Sequence, residues 1–85
     1  MSVPRMPFVR PHKPGNKILL IIPNYWGMGA DLAEAKANCL RYSGKRPITA
    51  WAIWSVHEKT TVNGMGSFIY PVDEKPVLLC SSEEV

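Results

Sequence analysis

Residues 31–44, DLAEAKANCLRYSG, carry signals for both ends of a helix. Asp31 can accept from first-turn amides, and Glu34 three positions later gives a capping-box pattern. Ala33, Ala35 and Ala37 keep the entropic cost of the segment low. Gly44 predicts a left-handed stop, and Pro47 prevents continuation. No other stretch of the 85 residues reads as a helix. A single helix can cover one face of one small sheet, which limits the chain to an α+β domain of two layers.

At about 100° per residue, Leu32, Ala35 and Cys39 form one stripe, with Ala33 and Leu40 beside it. Glu34, Asn38 and Arg41 lie opposite. Lys36 falls inside the apolar arc. Its stem can snorkel at a sheet edge, or its ammonium can serve as a binding group.

The remaining segments read as strands. Residues 1–16, with prolines at 4, 7, 11 and 14, predict an extended arm. Residues 17–80 then form the domain, and 81–85 an acidic tail. KILLII from Lys17 is continuously apolar, as in a strand buried on both faces, and Pro23 ends it. ITAWAIWSVH, residues 48–57, is β-branched and aromatic on both parities. Asn63-Gly64 predicts a hairpin with a type I′ turn, returning through GSFIY to a last strand, VLLC. The expected order is β-α-β-β-β in one mostly antiparallel sheet, with the helix packed on one face.

Gly27-Met28-Gly29 sits between the first strand and the helix. A dinucleotide fingerprint would need a third glycine where Leu32 stands, and no Gly-Lys-Ser or Gly-Lys-Thr follows. Asp31 would also compete with an anion for the helix amides. A plain turn is the expectation.

Strand alternation divides residues 50–57 into two faces. Ala50, Ala52, Trp54 and Val56 share one, and Trp51, Ile53, Ser55 and His57 the other. The small alanines point to the first as the helix-facing side, because a helix needs close approach. Trp51, Ile53 and Phe68 or Ile69 would then lie on a bare sheet face, which is a natural docking surface. Tyr25, Trp26, Trp51, Ile53, Phe68 and Tyr70 are the candidate interaction residues.

Composition narrows the chemistry. A chain with 46% hydrophobic and 20% charged residues suits one folded domain, and so small a core favours help from a partner or a second copy. His12, His57, Cys39 and Cys80 show no ligand spacing for a metal. Cys39 and His57 have no supporting catalytic motif, and Glu58, Asp73 and Glu74 sit near turns as solvated charges. A non-enzymatic role without cofactor or metal is expected. The run Ile18 to Ile22 is too short to span a membrane, and no secretory signal stands before it, so a cytoplasmic protein is expected.

The strand ending in IIP, the glycines, and then DLAEAKANC look like the strand-to-helix segment of HicB-like antitoxins. The likeness covers residues 18–44 alone. In such families the small domain binds a toxin, so the likeness implies a protein partner.

Two functions follow. The first is a protein-interaction module, an inhibitor or modulator of a partner, using the open sheet face or a strand edge; the aromatic surplus favours it. The second is nucleic-acid binding. Residues 1–46 carry eight Lys and Arg against two acidic residues, whereas 47–85 carry two against five. Lys36, Arg41, Lys45 and Arg46 would form the basic patch, with Trp51 as a stacking platform.

Overall fold

The protein is described here by a computed structural model covering residues 9–23, 25–44, 48 and 50–82. Strand β1, Asn16–Ile22, runs through the middle of the molecule, as its unbroken apolar run requires. It pairs antiparallel with β2, Tyr25–Gly29, on one side and with β3, Ala52–His57, on the other. A further strand, Val77–Ser81, pairs with β3. The helix α1 spans Leu32–Ser43, and two short strands, β4 (Thr61–Val62) and β5 (Phe68–Ile69), form a separate ribbon. With Val77–Ser81 numbered β6, the sheet order is β2-β1-β3-β6, antiparallel throughout. The chain is thus a small α+β domain with one helix packed on its sheet.

The helix ends form as their residues dictate. The Asp31 side chain accepts from the Glu34 amide at 2.8 Å, and Gly44 adopts a left-handed conformation, φ 74°, as its amide donates to the Leu40 carbonyl.

Gly27-Met28-Gly29 is not a turn. It is the second half of β2, with Gly27 opposite Leu20 and Gly29 opposite Ile18. The glycines are needed because α1 rests directly on this strand. A Cβ on Gly27 would stand 2.3 Å from the Cys39 amide nitrogen and 2.5 Å from the Ala35 carbonyl oxygen. Strand β2 thereby enters an order that the sequence pattern had given as β-α-β-β-β.

The same contact overturns the expected face assignment. Ile18, Leu20 and Ile22 of β1 join Ala35 and Cys39 of α1 in one core, and Trp51 and Ile53 belong to it. Trp51 is 4% exposed and Ile53 fully buried, so neither lies on a bare face. Close approach comes from the glycines of β2, where the helix sits. Toward β3 there is room for large side chains, and Trp51 and Ile53 fill it. Trp54 faces the other way.

That other face carries its own cover. Leu19 and Val56 are buried there, and the Trp54 ring meets Phe68 of the ribbon edge-on, centroids 5.0 Å apart at 86°. The ribbon loop also departs from a type I′ turn. Neither Asn63 nor Gly64 has a positive φ; Gly66 does, at 83°. Asn63 organises the loop through its side chain, whose Oδ1 accepts from the amides of Met65 and Ser67 at 2.9 Å each.

At the sheet's far edge, the register between β3 and β6 shifts between Ile53 and Trp54, a β-bulge. Ser81, expected in the tail, belongs to β6, and Ser82 exchanges two hydrogen bonds with the Trp51 backbone. Of the expected arm, residues 9–15 lie against the domain. Val9 packs on the core, and Lys13 pairs with Glu74 at 2.7 Å.

Candidate interaction site

As the first strand in the sheet order, β2 has a free edge among the described residues. The Met28 carbonyl points out of that edge and accepts from Asn38 Nδ2 of α1 at 2.7 Å. In an antiparallel strand, residues two apart present their backbone groups to the same side. The Trp26 backbone groups therefore face outward with those of Met28, while the side chains of both leave the strand on the face opposite the one that Gly27 and Gly29 turn to α1.

Helix and edge together enclose a groove of about 470 Å³, lined by Tyr25, Trp26, Gly27, Met28, Asn38 and Tyr42. Asn38 and Tyr42 are one helical turn apart, which aligns both with the strand edge. Tyr42 is 70% exposed, although a phenol ring is a large apolar surface to leave in water. The lining offers aromatic contact, a thioether, a carboxamide and backbone groups. No carboxylate, imidazole or thiol is among its lining residues.

Two of the sequence-derived interaction residues, Tyr25 and Trp26, come together in this groove. Trp51 and Ile53 are core, as described above. Phe68 is half-buried on the ribbon, and Tyr70 is exposed just beyond β5. Of the basic candidates, Lys36 and Arg41 are exposed on α1, while Lys45 and Arg46 lie outside the described residues. Arg41 falls about 60° round the helix from Asn38, on the side away from Tyr42, and is not among the residues lining the groove. Met28, Asn38 and Tyr42 were not singled out from the sequence. The spacing of Asn38 and Tyr42 was the available signal, and it acquires meaning only once β2 is a strand.

Both cysteines are free thiols. Burial pushes the Cys39 thiol above its usual range, which makes it a poor nucleophile. In the native protein a thiol reagent is expected to modify half-buried Cys80 and to spare Cys39, which is 0% exposed. Mass spectrometry of labelled peptides, with and without urea, checks this. Equal labelling of both cysteines in buffer would show that α1 does not stay docked.

Among the described residues, no helix is long and apolar enough to cross a membrane, and no three His, Cys, Asp or Glu side chains converge on a metal-sized site. No family model, curated protein or solved structure matches the chain.

Proposed function

We propose that this protein is a small interaction module that receives an extended segment of a partner protein along the free edge of β2. The observation that carries the reading is the groove itself: an unpaired strand edge beneath two helix side chains, flanked by Tyr25, Trp26 and Tyr42. Extended peptides add to such edges through main-chain hydrogen bonds, and flanking side-chain pockets supply selectivity. Aromatic side chains carry much of the binding energy at interfaces of this kind. An incoming strand would exchange the Asn38 hydrogen bond to the Met28 carbonyl for one from its own backbone amide. By occupying a partner segment, such a module acts as an inhibitor or modulator.

The test is selection from a random linear peptide library on the immobilised protein, followed by amide NMR with the selected peptides. The largest shifts are expected at Trp26 and Met28. Trp26→Ala and Tyr42→Ala should each weaken binding by roughly tenfold, about 1.4 kcal/mol, with the thermal midpoint little changed. Shifts confined to the β4–β5 ribbon would refute the groove. Steeply salt-dependent binding to single-stranded oligonucleotides, with no peptide selected, would favour the nucleic-acid alternative. Concentration-dependent shifts at β2 without any ligand would identify a second copy as the occupant.

A further inference from the structure

Helix α1 packs on β2 and β1, so it covers only half of the sheet face that it occupies. Over the β3 half lies the N-terminal segment from Val9. Val9 packs against the core cluster that contains Trp51 and Ile53, as do the half-buried Leu79 and Cys80. The polar anchor of this segment is Ser55, fully buried on the same face of β3 as Ile53. Its Oγ meets three groups. The His12 backbone amide donates to it at 2.9 Å, Asn16 Nδ2 at 3.4 Å, and the His12 ring Nδ1 stands 2.5 Å away.

A hydroxyl has one proton and two lone pairs. With these two N–H donors on the lone pairs, the Ser55 proton is left for Nδ1, an arrangement that the Nε2–H tautomer of the ring permits. That nitrogen then accepts, and the neutral ring carries its hydrogen on Nε2. Protonation puts a hydrogen on Nδ1 as well. Three donors would then face two lone pairs, and the serine proton would be buried without an acceptor, which is costly.

We propose that His12 and Ser55 form a proton-sensitive latch: neutral His12 fastens the N-terminal strap over the β3 half of the core, and protonation of His12 releases it. Other charges surround the latch. Glu74, paired with Lys13, is the acidic group near the ring, and Lys13 is a basic group on the strap itself. Arg10 lies two residues before His12 on the strap. His57, opposite Asn16 in the register, adds a second imidazole. Asn16 can rescue the protonated state, by turning its carboxamide to offer Oδ1 to the serine proton.

The experiment is an NMR pH titration of the full chain, following the His12 ring together with the amides of Val9, Arg10, His12 and Lys13. The strap amides should lose exchange protection along the same curve as the His12 ring titrates, while the amides of α1 stay unchanged. Ser55→Ala should leave the strap released at neutral pH with no further pH response. His12→Gln should abolish the transition. A strap that stays fastened while His12 titrates would overturn the proposal, because Asn16 would then have turned to accept. A release that persists in His12→Gln would overturn it equally, by assigning the response to Glu74 or His57.

Discussion

Gly27→Ala is expected to destroy the docking of α1 on the sheet. The new methyl group would sit 2.3 Å from the Cys39 nitrogen, 2.5 Å from the Ala35 oxygen and 2.7 Å from Cys39 Cα. All three are backbone atoms of a helix, and none can swing aside as a side-chain tip can. Comfortable separations are near 3.5–4.0 Å, so the whole helix would have to lift by more than an ångström. Overpacking usually costs about 1–3 kcal/mol. Here the rigid neighbour puts the expectation at roughly 3 kcal/mol or more, a large share of the 5–15 kcal/mol that holds a typical domain together. Gly64→Ala is the control. Nothing lies within 4 Å of a Cβ there and its φ is not positive, so its urea midpoint should stay within about 0.5 kcal/mol of the parent. If the two variants melt alike, the helix does not rest on β2.

The two strand tryptophans should separate as sharply. Trp51→Ala removes a nearly buried indole from the helix-side core, and such truncations cost about 3–5 kcal/mol. Trp54 is half-buried and gives up mainly its edge-on contact with Phe68, an arrangement worth about 0.5–1.5 kcal/mol beyond the area it buries. Paired urea titrations decide the point. A larger loss for Trp54→Ala would mean that the helix covers the opposite face of the sheet from the one assigned.

The contrast between these two residues shows what a single chain's pattern can carry. Alternation along 50–57 divides the side chains correctly between two faces. It does not say which face meets the helix. Ala50 and Ala52 suggested close approach, yet the approach is made on β2, in glycines that strand propensity alone assigns to a turn. Asp31 and Gly44 were legible because a cap is a local event, completed by backbone groups a few residues away. Asn63-Gly64 was legible as a reversal but not as a turn type, since Asn63 works through its side chain. The groove was half visible. Tyr25 and Trp26 stood out as aromatics, whereas Asn38 read as an ordinary polar-side helix residue and Tyr42 carried no signal of its own. Only the placement of β2 beneath them gives those two a role. Ser55 and His12 are 43 positions apart, and no local pattern joins them.

The position of β1 at the middle of the sheet also bears on how the fold is reached. Its neighbour β2 follows after a brief reversal, and closing that pair fixes little chain. Its neighbour β3 comes only after β2, the helix and the segment beyond it, and β6 comes later still. Closing these distant pairs costs more chain entropy and slows folding. Any species in which β3 has yet to arrive therefore carries β1 with one side unpaired, beside Ile18, Leu20 and Ile22 that nothing on that flank covers. A long apolar edge of that kind pairs readily with a strand from another molecule. The hazard to this chain during synthesis is thus concentrated in one interval, between formation of the first hairpin and the arrival of Ala52–His57.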